Sequence, residues 1–168
     1  MTTVTMKGTP LELAGNEIKV GDQAPGFEVT DGELNPAEAA AIVKGVTLLI
    51  TVPSLDTSVC SKETRRLSGE LAKLETDFDL NPILISMDLP FAQQRWLKDA
   101  GIDNIRAFSD YRLADFGKKY GVLIEKLRLL ARSVWIIDGT GTVRYKQLVD
   151  EVTDEPDYDE VIEAIKNV

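Results

Sequence analysis

The chain of 168 residues contains no histidine and a single cysteine, Cys60. A cysteine acts as a nucleophile only as its thiolate, which near neutral pH is usually formed by a histidine base, a metal, a nearby cation or a helix N-terminus. The absence of histidine excludes a Cys-His pair, and one cysteine cannot close an internal disulfide and argues against structural zinc. A reactive Cys60 would therefore depend on a helix and on an arginine or lysine.

The chain also lacks the features of membrane, secreted and nucleic-acid-binding proteins. No apolar run approaches the roughly 20 residues that a membrane-spanning helix needs. The N-terminal segment has no basic region followed by an apolar one, as a signal peptide would. A net charge of −9, with 19 basic and 28 acidic residues, repels polyanions. We therefore expect a cytoplasmic protein that binds neither nucleic acid nor membranes, and the lone thiol is consistent with a reducing compartment.

Length and the order of the sequence patterns predict one α/β domain over residues 1–168. A hydrophobic share of 43% is enough to build a core without disulfides. A short N-terminal hairpin precedes apolar strands at residues 46–52 and 82–87, which alternate with helical patterns, and a further hairpin comes before the last helix. This alternation predicts a central mixed sheet flanked by helices. The predicted helices span residues 36–43, 58–78, 91–100, 111–120 and 158–166.

Cys60 follows the first apolar strand and opens the helical pattern of residues 58–78. In the first turn, the sulfur can face unpaired backbone N–H groups and the positive end of the helix dipole, which both favour a thiolate. Thr57 is a candidate N-cap with a hydroxyl in reach of the sulfur or of a substrate, and Pro53 would keep water from the loop. Arg132, a charge in an apolar stretch, is the candidate cation. From these local features alone, an inert buried cysteine remains an open alternative.

Four separated segments form a distinctive set. Residues 53–60 read Pro-Ser-Leu-Asp-Thr-Ser-Val-Cys and residues 88–93 read Asp-Leu-Pro-Phe-Ala-Gln, followed by Leu-Ala-Arg at 130–132 and by the segment 147–158. The first resembles the Pro-x-x-x-Thr-x-x-Cys active-site motif of the peroxiredoxins, which are thioredoxin-fold peroxidases. The whole set, with the N-terminal hairpin, resembles the bacterial thiol peroxidase subfamily over essentially the entire chain.

The resemblance implies a thioredoxin-like fold with an N-terminal β-hairpin extension and a thiol-dependent peroxidase activity. The substrates would be hydrogen peroxide and alkyl or lipid hydroperoxides, with no cofactor and no metal. Cys60 would be the peroxidatic residue, which peroxide converts to a sulfenic acid. Thr57 and Arg132 would polarise the peroxide and stabilise the developing charge. Pro53 would shield the sulfenic acid from further oxidation.

The chain departs from the subfamily at Leu97, which stands where thiol peroxidases usually carry a second, resolving cysteine. The Cys60 sulfenic acid would then be reduced by an external thiol, thioredoxin or a small thiol, or by Cys60 of another subunit. The resemblance implies a homodimer, with Pro90 and Phe91 near the pocket or the interface. The competing hypothesis is a peroxide sensor or holdase that is oxidised stoichiometrically without turnover.

Overall fold

The structure is a computed structural model that describes residues 2–168. The strands are β1 (Thr3–Met6), β2 (Thr9–Ala14), β3 (Glu28–Thr30), β4 (Pro36–Glu38), β5 (Val46–Thr51), β6 (Leu80–Ser86), β7 (Arg106–Ser109), β8 (Leu123–Ile124), β9 (Leu129–Leu130), β10 (Ser133–Ile137) and β11 (Val143–Leu148). The helices are α1 (Ala39–Ile42), α2 (Ser58–Lys73), α3 (Pro90–Ala100), α4 (Asp115–Lys119) and α5 (Tyr158–Lys166).

The central sheet has the strand order β11-β10-β5-β6-β7-β3-β4. Strands β5, β6 and β7 run parallel to one another, whereas β10 pairs antiparallel with β5 and β3 pairs antiparallel with β7. The predicted mixed sheet is therefore confirmed, with the apolar strand of residues 46–52 at an inner position. A strand in this position is covered on both faces, which explains why its sequence is almost continuously apolar.

The two faces of the sheet carry separate apolar clusters. Leu48 and Ile50 point to the face covered by α2, α3 and α5, where they join Leu67 in one cluster. Leu49, between them, points to the other face and joins Phe116 beneath α1, α4 and the N-terminal hairpin. This alternation follows from the two-residue period of a strand, and it places Cys60 on the α2 face.

The N-terminal hairpin is confirmed and belongs to a small second sheet with the order β1-β2-β8-β9. Its turn lies at Lys7 and Gly8, which both have positive φ angles, 49° and 82°. Such angles are typical of the tight turns that match the twist of a hairpin. Helix α5 has the predicted bounds, and α3 ends as predicted at Gly101, whose φ of 67° suits glycine.

Two predicted helices are much shorter in the structure. In the segment 36–43, the first three residues pair with β3 as the edge strand β4, which leaves only α1 as helix. In the segment 111–120, only α4 is helical. The Asp110 carboxylate accepts hydrogen bonds from the backbone N–H groups of Phe116 and Gly117 and so sets where this helix begins. Tertiary pairing and capping outweighed the local helical pattern in both segments.

Helix α2 also ends earlier than predicted, at Lys73 rather than Phe78. Leu74 has an extended backbone, yet Leu74 and Phe78 still pack against the same apolar cluster. The prediction that Leu74 and Phe78 contact the core is therefore correct, but they do so from the end of the helix and the loop that follows it. Within residues 2–168, no helix has the length and apolar character needed to cross a membrane.

Candidate active site

Cys60 lies in the first turn of α2, just beyond the loop that follows β5. Its side chain has no exposed surface and packs in the apolar cluster beside Val52 and Leu55. This is the shielded position that the apolar spacing of α2 predicts. A charged sulfur in such a place would need strong partners, because burial disfavours the ionised form of a thiol.

Arg132 supplies a cation to this sulfur from the residue directly before β10. It is only 1% exposed, and its Nη2 donates to the Cys60 Sγ at 3.4 Å. The same Nη2 donates to the backbone carbonyl of Val152 at 2.8 Å, while Nη1 is paired with the Glu63 carboxylate. The guanidinium chosen from the sequence therefore lies against the cysteine, held by two further partners.

Glu63 is a site residue that the sequence analysis missed. It lies one helical turn after Cys60 and has no exposed surface. Burial raises the pKa of Glu63 to about 7, although the Arg132 charge acts in the opposite direction. A glutamate three residues after the cysteine occupies the same helix face, so its place on the apolar stripe was a usable signal.

Two ionisable groups, Glu63 and Cys60, thus share the positive charge of Arg132 in a buried space. Burial lowers the pKa of Arg132, but the charges of Glu63 and Cys60 outweigh it and leave this pKa above its ordinary value. Among the described residues, Arg132 Nε and Glu63 Oε1 have no hydrogen-bond partner. The guanidinium therefore keeps a free donor at Nε, and it cannot fully neutralise both Glu63 and a Cys60 thiolate.

Thr57 occupies the N-cap position of α2, as predicted, but its side chain does not cap the helix. Its hydroxyl is exposed and donates to the Ser54 carbonyl at 2.8 Å, and no hydrogen bond joins it to Cys60 in the described structure. The prediction was right about the backbone position and wrong about the capping bond. Pro53 is buried at the start of the same loop, in keeping with a shielding role.

Asp88 anchors this loop from the Asp-Leu-Pro-Phe-Ala-Gln segment. Its carboxylate accepts hydrogen bonds from Ser54 Oγ at 2.6 Å, from the Leu55 backbone N–H at 2.9 Å and from Ser86 Oγ at 2.8 Å. The charge of Asp56 would oppose a nearby thiolate, but this side chain is exposed, and its Oδ1 lies 3.5 Å from Arg95 Nη2 in an ion pair. The second motif therefore holds the first one in place, a relation that the sequence analysis did not predict.

Leu97 lies in α3 and is 7% exposed, within the same apolar cluster as Cys60. At the start of α3, Leu89 and Phe91 are 51% and 63% exposed, so this helix begins with an uncovered apolar patch. Trp135 has no exposed surface and serves the core. The described residues hold no group of three or more histidine, cysteine, aspartate or glutamate side chains placed to bind a metal.

These features define a thioredoxin-like thiol site. The cysteine lies in the first turn of a helix that follows an inner strand of a mixed sheet, and an arginine lies beside its sulfur. The family model described as Redoxin matches residues 19–162. A thiol peroxidase of Bacillus subtilis is 47% identical over 166 residues, 99% of this chain and 98% of the relative. A thiol peroxidase of Staphylococcus aureus is 45% identical over the full length of both chains.

Solved structures agree with these sequence relatives. The peroxiredoxin-like protein from Aquifex aeolicus has a TM-score of 0.88 at 45% identity, covering 99% of this chain and 97% of that one. A thiol peroxidase from Chromobacterium violaceum has a TM-score of 0.83 at 25% identity, covering 98% and 95%. The chain belongs to the redoxin family and, among its peroxiredoxins, to the thiol peroxidases. The predicted thioredoxin-like fold is thereby confirmed.

Proposed function

We propose that this chain is a thiol-dependent peroxidase that reduces hydrogen peroxide and organic hydroperoxides through Cys60. The observation that carries the proposal is the contact between Cys60 Sγ and Arg132 Nη2 at 3.4 Å, in the first turn of α2. Relatives named thiol peroxidase that match along the full length support the same activity. The proposal assigns roles to Cys60, Arg132, Thr57 and Pro53.

The thiolate would be stabilised by two features that replace a histidine base. The N-terminus of α2 presents unpaired N–H groups and the positive end of the helix dipole, and Arg132 adds a full charge in a buried space where Coulomb interactions are stronger than in water. Both favour the thiolate over the thiol, against the cost of burial. The free Nε donor of Arg132 is left to polarise a bound peroxide, and the Thr57 hydroxyl would do so by exchanging its bond to the Ser54 carbonyl for one to the peroxide.

In the first chemical step, the Cys60 thiolate attacks the terminal oxygen of the hydroperoxide. The S–O bond forms as the O–O bond breaks, so the sulfur is oxidised to a sulfenic acid and the peroxide is reduced. The departing hydroxide or alkoxide takes a proton from solvent and leaves as water or an alcohol. The guanidinium of Arg132 would stabilise the negative charge that develops on the departing oxygen.

The second half of the cycle needs an external thiol, because Cys60 is the single cysteine of the chain. One thiol attacks the sulfenic acid, releasing water and forming a mixed disulfide, and a second thiol reduces that disulfide and restores Cys60. Thioredoxin, a small thiol or Cys60 of another subunit could supply the first attack. Leu97 occupies the place from which a resolving cysteine would act in the subfamily.

We further propose that the protein is cytoplasmic, that it forms a homodimer and that each chain is one domain. A reducing compartment suits an enzyme whose one thiol must be restored after every turnover. The exposed side chains of Leu89 and Phe91 beside the Cys60 loop provide an apolar surface for a second copy of the chain. Reduction by another subunit would use this proximity, whereas reduction by a free thiol would not depend on it.

Peroxide consumption by purified variants tests the proposal. Wild type should reduce hydrogen peroxide and cumene hydroperoxide with dithiothreitol, and Cys60→Ser should show no activity above the uncatalysed rate. Arg132→Ala should slow the oxidation of Cys60 by roughly 10²–10³-fold. Arg144→Ala is the matched control, because Arg144 is exposed and its ion pair is with Asp138, not with a residue of the active site. Equal peroxide consumption by wild type and Cys60→Ser would refute the function.

The choice of reductant separates the remaining hypotheses. Dithiothreitol, thioredoxin and glutathione should each be tried with the same oxidised protein, and the return of the free thiol should be followed by mass spectrometry. Turnover with any of them supports the peroxidase. A single stoichiometric oxidation that no thiol reverses would instead support the sensor or holdase.

A further inference from the structure

The loop after β11 joins the N-terminal hairpin to the active site. The Thr5 backbone N–H donates to the Asp150 carbonyl at 2.7 Å, and the Val152 N–H donates to the Thr5 carbonyl at 2.8 Å. Strand β1 therefore continues its pairing into this loop, which lies within the segment 147–158 that resembles the thiol peroxidases. The hairpin has no part in the chemistry described so far, and within this segment only the Val152 carbonyl has been placed at the site, as a partner of Arg132.

Glu151 reinforces the junction with its carboxylate. Oε1 accepts hydrogen bonds from Thr5 Oγ1 at 3.0 Å and from the Gly8 backbone N–H at 2.9 Å. Oε2 accepts from the Thr153 N–H at 2.9 Å and from its Oγ1 at 2.7 Å. The Glu151 carboxylate thus bridges the hairpin, at Thr5 and Gly8, and Thr153, the residue that follows Val152 in the loop.

Val152 lies between Glu151 and Thr153, and its backbone carbonyl contacts Arg132 in the active site. It is 3% exposed, and its carbonyl accepts the hydrogen bond from Arg132 Nη2 at 2.8 Å. The same nitrogen lies 3.4 Å from Cys60 Sγ. The two N–H bonds of a guanidinium nitrogen diverge at a fixed angle in one plane. Where the carbonyl holds one of them therefore decides where the other one points.

We propose that Glu151 is a positioning residue for peroxide reduction, because it holds the Val152 carbonyl that aims Arg132 Nη2 at Cys60. The inference rests on the proposed function of Cys60. Glu151 acts through the loop and through Arg132 and touches neither sulfur nor substrate. The hairpin extension thereby gains a role in catalysis, in addition to covering one face of the sheet.

Glu151→Gln tests the inference, since an amide cannot accept at both ends. The second-order rate of Cys60 oxidation by hydrogen peroxide should fall by about tenfold, as expected when a catalytic donor is displaced by a fraction of an ångström. The pH dependence of Cys60 alkylation by iodoacetamide should move to higher pH. Asp138→Asn is the matched control, because Asp138 also accepts several bonds from its own turn, at Thr140 and Thr142, without a contact to Arg132.

A double-mutant cycle separates positioning from simple loss of stability. If Glu151 acts through Arg132, the Glu151→Gln change should leave the rate of Arg132→Ala unaltered. The same loss of rate in both backgrounds would overturn the inference, as would a rate equal to that of Asp138→Asn. Arg132→Lys serves as the background if Arg132→Ala does not fold. Activity retained by Cys60→Ser would instead refute the proposed function, so the two failures are distinguishable.

Discussion

Glu63→Gln tests the charge balance of the site through the stability of the fold. Glu63 is completely buried, and burial raises its pKa to about 7, compared with an ordinary glutamate value of 4.5. An amide of the same shape can still accept the hydrogen bond from Arg132 but carries no charge. The substitution therefore removes the titration of residue 63 and keeps its packing.

The sign of the effect follows from proton binding. Between pH 4.5 and about 7, the folded chain holds a proton on Glu63 that the unfolded chain has released. Stability is then greatest at low pH and falls as the pH rises through this window. At about 1.4 kcal/mol for each pKa unit, the total loss is about 3 kcal/mol, complete near pH 8. Glu63→Gln has no such titration. Between pH 4 and pH 8, its free energy of unfolding should therefore rise by about 3 kcal/mol relative to that of the wild type.

Urea denaturation at several pH values measures the effect, with both proteins carrying Cys60→Ser so that the thiol does not titrate. The difference between the two free energies of unfolding is the quantity to compare, because all other titrating groups cancel. Glu70→Gln makes the same change at a half-buried glutamate of α2 that is paired with Arg66 and is the matched control. A Glu63→Gln difference that does not vary with pH, or that follows the Glu70→Gln difference, would refute the reasoning about the buried carboxyl.

Three further predictions concern the loop, the core and the dimer. Asp88→Asn should slow peroxide oxidation of Cys60 by about tenfold in stopped-flow experiments, because it weakens the hold on Ser54; an unchanged rate would contradict the anchoring role. Leu97→Ala should lower the free energy of unfolding by about 3 kcal/mol in urea, as for other buried leucines, and a negligible loss would mean that Leu97 does not support the core. Phe91→Asp should shift sedimentation from dimer to monomer at micromolar concentration, whereas a dimer that persists would place the interface elsewhere.

The elements that sequence analysis predicted well are those with local causes. Helix α5 and the end of α3 at Gly101 follow from apolar spacing and from glycine's tolerance of a positive φ. The inner strand of residues 46–52 follows from its continuous apolar run. The segments 36–43 and 111–120 were predicted poorly, because strand pairing in one and the Asp110 carboxylate in the other override the helical pattern. Asp110 directly precedes the second segment, but its hydrogen bonds to Phe116 and Gly117, like the pairing of β4 with β3, leave no trace in the apolar spacing.

For the candidate site, the amino-acid sequence was enough to establish the chemistry: one thiol, no histidine, a helix start at Cys60 and a motif that resembles the peroxiredoxins. The sequence also named Arg132 as the cation for Cys60, and the tertiary structure brings the two together across 72 residues of chain. The other partners at the site emerged only from the fold: the Val152 carbonyl accepts a hydrogen bond from Arg132, and the N-terminal hairpin pairs with the loop that carries Val152. Contacts of this range depend on how the strands are ordered, so periodicity and motif spacing did not reveal them.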